Sequence, residues 1–128
     1  MKVILIDPHT KTIQPLNVQW PESHLHDIYK LLDCEMIETP MDYENGDVLY
    51  CDEEAWLTAA KHPEKPRAGF MFPDWEYAIL GKAVIIGTND EGDDVDCKSV
   101  PDDIAPEIRW RNHEQMTNQG IEYDLINA

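Results

Sequence analysis

The sequence predicts an α+β fold, a single small domain with a mostly antiparallel sheet and two or three short helices. Three observations point there. The apolar runs, such as residues 3–6 and 83–86, are strand-sized and are separated by turn-forming clusters of Pro, Gly, Asn and Asp. Helical spacing of apolar residues is confined to short stretches, so no long helix is expected. The chain has 128 residues, 42% of them hydrophobic and 9% aromatic, which suits one domain with a real core.

In chain order, Val3, Ile4, Leu5 and Ile6 form a first strand that ends at Pro8-His9-Thr10-Lys11. Ile13, Leu16 and Val18 continue it into a hairpin, and Pro15 places that second strand at a sheet edge because proline cannot donate to a ladder. Pro21 at the first helical position opens a helix in which Leu25, Ile28, Tyr29 and Leu32 share one face. Residues 34–39 read as a strand. Asn45-Gly46-Asp47 is a tight turn before the strand Val48-Leu49-Tyr50-Cys51. Residues 55–60 form a short helix behind the acids Asp52, Glu53 and Glu54. Residues 62–67, with two prolines, read as a mobile loop, and Phe70-Met71-Phe72 as a strand. Ala83-Val84-Ile85-Ile86, set between Gly81 and Gly87, reads as a central strand covered on both faces, followed by an acidic turn around Gly92. Ser99 is placed to cap a short helix from Pro101, and Ile108-Arg109-Trp110-Arg111 alternates as a strand. Residues 1–111 are thus expected to be the compact domain, and residues 112–128 a polar tail or peripheral helix.

Charge bears on partners more than on fold. With 26 acidic residues against 10 Lys and Arg, the formal charge is −16. Such a surface repels phosphate backbones and anionic lipid, so neither direct nucleic-acid binding nor membrane binding is expected. No apolar run is long enough for a signal h-region or a membrane span. Cys34, Cys51 and Cys97 form no C-x-x-C pair and read as free thiols in a reducing cytoplasm.

The order of segments carries a resemblance. Met1-Lys2-Val3-Ile4-Leu5-Ile6-Asp7-Pro8, the stretch 28–38, Asn45-Gly46-Asp47 with its strand, and the G-K-A-hydrophobic₃-G-T-x-D-E-G-D segment at residues 81–93 together resemble a small domain family of unknown function. Its members occur largely in phages, prophages and conjugative elements. The resemblance spans residues 1–111, with the 61–67 loop and the tail as local additions. It implies a mobile-element accessory protein in a bacterial host cytoplasm and supplies no catalytic residues.

The most pronounced constellation is acidic. No basic residue stands between Lys30 and Lys61, and a second acid-rich stretch is Asp90, Glu91, Asp93, Asp94 and Asp96. On a strand, residues i and i+2 lie about 6.8 Å apart on one face, close to the spacing of successive phosphates. Asp33/Glu35, Asp42/Glu44 and Asp94/Asp96 would then imitate a phosphate row and attract a basic or DNA-binding host protein. The plainer alternative is a solubilising surface. The 90–96 loop lacks the Gly and Glu positions of a calcium loop, and His24 and His26 diverge on a helix, so no metal site is expected. No nucleophile or phosphate-binding motif occurs, so no catalytic residue or cofactor is assigned and a non-enzymatic role is expected. An enzyme with an unrecognised site is the weakest alternative. A stronger one is an aromatic–arginine pocket of Trp75, Tyr77, Arg109 and Trp110 that stacks a small nucleotide signalling molecule. The tryptophans are equally consistent with core packing or a homodimer contact. The leading expectation is a counter-defence or host-takeover protein that binds and inhibits a host protein through an acidic surface.

Overall fold

The computed structural model describes residues 1–21, 24–62, 64, 67–75 and 78–112. The expected tail, apart from Asn112, lies outside these, as does Tyr77. The described strands and helices are β1 (Lys2–Asp7), β2 (Thr12–Asn17), α1 (Leu25–Leu32), β3 (Ile37–Asp42), β4 (Asp47–Asp52), α2 (Ala55–Lys61), β5 (Gly69–Met71), β6 (Ile79–Leu80), β7 (Ala83–Thr88), β8 (Asp94–Val95), α3 (Pro101–Ile104) and β9 (Arg109–Arg111), with a 3-10 turn at Ala105–Glu107. All strand pairs are antiparallel. The α+β expectation with a mostly antiparallel sheet holds.

The larger sheet has the order β2-β1-β7-β4-β3, with β8 paired to the end of β7, and the smaller has the order β6-β5-β9. The apolar run at the sequence level becomes the middle of the larger sheet: β7 pairs β1 on one side and β4 on the other. Its alternation serves two cores. Val84 and Ile86 join Val3, Ile28 and Leu32 beneath α1. Ala83 and Ile85 join Ile4, Ile6, Leu49, Phe70 and Ile104 between the two sheets. Met71 and Leu80, on the far face of the smaller sheet, pack under α2 with Ala59 and Trp56. The layers therefore run α1, large sheet, small sheet, α2. Proline blunts both outer edges of the large sheet. Pro15 sits in β2, and Pro40 sits in β3 beside a register shift between Glu38 and Met41.

Several boundaries differ from expectation. The first helix begins at Leu25 rather than Pro21: Trp20 stacks on His24, and His24, whose Nε2 bonds Asp94, stands outside the helix as its N-cap. The strand expected at 34–39 starts only at Ile37, since Asp33 ends α1 in the left-handed region (φ 54°) and reverses the chain first. Ser99 does not cap α3. Its hydroxyl accepts from Asn45 Nδ2 at 3.0 Å, and Asp103 Oδ2 instead takes the Val100 N–H at the helix start. Arg67, expected in a mobile loop, is buried, and its Nη2 donates to the His62 carbonyl at 3.0 Å; residues 63, 65 and 66 of that loop lie outside those described.

Candidate functional site

The strand directions give the large sheet two unlike ends. At one, the β3–β4 turn and the β7–β8 turn lie side by side, joined by the Thr88 N–H donating to the Gly46 carbonyl at 3.0 Å. At the other stand the β1–β2 turn, the end of α1, the start of α2 and Gly81-Lys82, which leads into β7.

The first end is built by side chains bonding backbone. Asp47 is fully buried, and its carboxylate accepts the N–H groups of Lys98 (2.9 Å) and Ser99 (2.8 Å), pinning the 97–100 chain to the sheet. Asn45 Oδ1 takes the Asp47 N–H and its Nδ2 reaches Ser99 Oγ. Asn89 Oδ1 accepts from the N–H groups of Glu91 and Asp93, which closes the second turn. Gly46 and Gly92 occupy φ 96° and 84°, where other residues are strained. A Cβ on Gly87 would stand 2.2 Å from the Asp96 carbonyl oxygen, so only glycine lets the 95–96 chain cross there. The most distinctive sequence segments, Asn45-Gly46-Asp47 and the run around 87–93, are therefore architectural in these contacts.

The acids proposed from sequence divide accordingly. Asp94 is used internally, bonding His24 Nε2 at 2.6 Å and accepting from Tyr50 Oη at 3.5 Å. Asp96 Oδ1 accepts the Lys2 N–H. Asp33 ends α1 and pairs with Lys82 Nζ at 2.9 Å, while Glu35 lies in the bend that follows. Asp42, Glu44, Asp90, Glu91 and Asp93 are exposed, and all five flank the two apposed turns. Lys98 Nζ reaches toward Gly46 among them. The phosphate-row geometry does not form: Asp33/Glu35 lie outside strands, Glu44 lies in a turn beyond β3, and Asp96 lies beyond the two-residue β8. What the fold supplies instead is convergence of two turns.

This acidity reaches the neighbouring phenols. Burial, reinforced by Glu107 and Asp47, pushes the Tyr43 hydroxyl up to about 12. Burial, with Asp94 next, pushes Tyr50 to about 12 as well. Cys34 is raised to about 11, chiefly by burial, and Cys51 and Cys97 are raised for the same reason. A thiol raised in this way is a poor nucleophile near neutrality.

The aromatic–arginine pocket is not assembled from its described members. Trp110, Phe70, Phe72 and Trp75 form a chain of edge-on ring contacts with centroids 6.4, 6.0 and 4.9 Å apart, so two phenylalanines separate the tryptophans. Arg109 folds back, its Nη1 donating to the carbonyls of Pro106 and Ile108. Trp75 instead lines a cavity of about 180 Å³ with Trp56, against β3 and β4.

Sequence reasoning missed a second cavity of about 250 Å³ at the far end of the sheet. Its wall runs from Leu32 of α1 and the following Asp33 through Ala55 and Ala59 of α2 to Leu80, Gly81 and Lys82, with Asp52, His62 and Arg67 at the polar side. Among the described residues no group of three or more His, Cys, Asp or Glu side chains is placed to hold a metal, and no helix is long and apolar enough to cross a membrane.

Together, the layered α+β architecture and the motif-built turns define a small domain in which the distinctive residues serve the scaffold. The chain belongs to the DUF3846 family, a domain of unknown function whose family model matches residues 1–110. No curated protein and no solved structure matches it.

Proposed function

We propose that this protein is an acidic accessory factor of a phage or another mobile element that binds and inhibits a basic host protein, DNA-binding proteins being the favoured class. The observation that carries this reading is the apposition of the two acidic turns through Thr88 and Gly46. It gathers Asp42, Glu44, Asp90, Glu91 and Asp93 at one rim although the two groups are far apart in sequence. Side chain–backbone bonds hold both turns, so the charges are presented on a fixed frame and little ordering is needed on binding. A formal charge of −16 adds long-range attraction for a cationic partner. The proline-blunted edges of the large sheet argue for recognition by side chains at this rim over strand addition. The host and cytoplasmic context comes from the family resemblance alone, and the role is non-enzymatic.

The test compares the full chain with a variant carrying Asp42→Asn, Glu44→Gln, Asp90→Asn, Glu91→Gln and Asp93→Asn. Both are immobilised and exposed to bacterial lysate at low salt. The expected result is a basic protein retained by the native chain, released by salt, absent from the variant, and inhibited when the native chain is added back. Equal recovery by both proteins would overturn the reading.

A further inference from the structure

We propose that the cavity between β3, the start of α2 and the chain leading into β6 binds a small quaternary ammonium compound, a trimethylammonium headgroup of the choline type. This site is separate from the two acidic turns and does not depend on the reading above.

The cavity holds about 180 Å³, below the roughly 300–1,000 Å³ of most ligand pockets, so it suits a compact headgroup and not a nucleotide or a peptide. Two kinds of side chain characterise its lining. Trp56, in the first turn of α2, and Trp75, ahead of β6, supply indole surface. Both rings are held in place. Trp56 Nε1 donates to the Ala78 carbonyl at 3.1 Å, and Trp75 meets Phe72 edge-on with centroids 4.9 Å apart. The charged members are Glu38, Asp52 and Glu53, and among the described lining residues there is no Lys, Arg or His. Glu38 Oε1 accepts from the Cys51 thiol at 3.7 Å, and Asp52 Oδ1 accepts the Glu54 N–H at 2.9 Å, so these carboxylates are oriented as well.

Indoles beside carboxylates select one class of ligand. An anion is repelled by every charged group of the lining. A metal ion exchanges its waters for oxygen ligands, which the indoles do not offer. A primary ammonium brings three N–H donors, and those turned to a ring face lose their water without a full replacement. A quaternary ammonium has no donor to satisfy. Its methyl groups pack on ring carbon, the ring quadrupole attracts its charge, and the carboxylates balance it. A carboxylate carried by the ligand itself works against binding for the same reason that an anion does.

The experiment is a thermal-shift and calorimetric titration of the full chain with choline and tetramethylammonium, ionic strength being held constant with sodium chloride. Three controls each change a single feature. 3,3-Dimethylbutan-1-ol keeps the shape without the charge, ethanolamine keeps the charge without the methyl groups, and glycine betaine adds a carboxylate. The expected result is a rise in Tm with the two quaternary cations and none with the controls, because a ligand that binds only the folded state stabilises it. Trp75→Leu keeps an apolar side chain and removes the π face, and should weaken choline binding about tenfold. Glu38→Gln combined with Glu53→Gln alters two exposed positions, so the ligand-free Tm should be little changed while binding again weakens about tenfold. This second variant decides the matter if Trp75→Leu does not fold. No response to choline at millimolar concentration, an equal response to any of the three controls, or undiminished binding by the double variant would each overturn the proposal.

Discussion

The two ends of the large sheet use charged residues in opposite ways. At the acidic end, Asp47, Asp94 and Asp96 are committed to backbone or side-chain partners, and their neighbours Asp90, Glu91 and Asp93 project from turns that Asn89 and glycines have already shaped. At the cavity end the ion pair Lys82–Asp33 is exposed on the acid's side. There Arg67 is buried against a carbonyl. An aspartate that accepts two buried N–H groups is part of the frame, whereas one at the tip of a closed turn is free to meet a partner. Counting acids along the chain cannot separate these, but following their hydrogen bonds does.

The sharpest way to break the acidic end is at its crossing point. Gly87→Ala puts a Cβ 2.2 Å from the Asp96 carbonyl oxygen, a backbone atom that cannot swing away. The expected loss is on the order of 4 kcal/mol, at the extreme of single substitutions, with a chain that is largely unfolded or insoluble. Urea denaturation would measure it, and a loss under about 1 kcal/mol would show that the 95–96 crossing is looser than the geometry indicates.

Asp47→Ala comes next. It strands the N–H groups of Lys98 and Ser99 and leaves a hole in a fully buried site. A cost of about 3 kcal/mol is expected, since each orphaned buried donor costs roughly 1–3 kcal/mol. Hydrogen exchange at Lys98 and Ser99 should accelerate well beyond that at β7, which separates local detachment of this strap from global unfolding.

A smaller effect appears on raising pH. Unfolded tyrosines lose their protons near 10, whereas Tyr43 and Tyr50 hold theirs to about 12. Between those values the folded chain binds more protons than the unfolded one, so this contribution is whole below pH 10 and is lost as pH climbs toward 12. Cys34 at the cavity end behaves likewise from 9 to about 11. Tm should therefore fall progressively above pH 9. Tyr50→Phe should flatten the upper part of that fall, and Cys34→Ser the lower part. A Tm constant to pH 12 would mean that these groups are not held protonated by the fold.

Much of the fold was legible because local pattern and tertiary role agree in it. The run at 83–86, apolar on both faces, could only be an interior strand, and Pro15 could only sit at an edge. The failures arise where a distant residue overrules local chemistry. Ser99 looks like a helix cap until Asn45 claims its hydroxyl, and Pro21 looks like a helix start, but His24, bonded to Asp94, stands outside the helix as its N-cap. Strands of two residues, β6 and β8, carry no period to detect. At the candidate sites, the acids were visible but not their convergence, which depends on the register that sets Asp47 opposite Gly87. The 250 Å³ cavity left no trace in sequence because its wall is assembled from segments as distant as His9 and Lys82.

The faintest difference between the ends lies in the backbone. Around the acidic turns the positive φ angles belong to Gly46 and Gly92, but at the cavity end Lys11 and Asp33 join Gly81 there, both at φ 54°. A non-glycine residue in that region costs roughly 1–2 kcal/mol, so the cavity end carries strain that the acidic end avoids. Lys11→Gly removes it and also loosens the unfolded chain, which offsets about 0.4–1 kcal/mol of the gain. The net expectation is a stabilisation of about 0.5 kcal/mol, read as a slightly higher urea midpoint with an unchanged slope. Asp33→Gly should gain less, because it also gives up the exposed pair with Lys82, worth under about 1 kcal/mol. If Lys11→Gly destabilises, the β1–β2 turn is held by contacts of the lysine stem rather than strained by its conformation, and the contrast between the two ends would rest on charge alone.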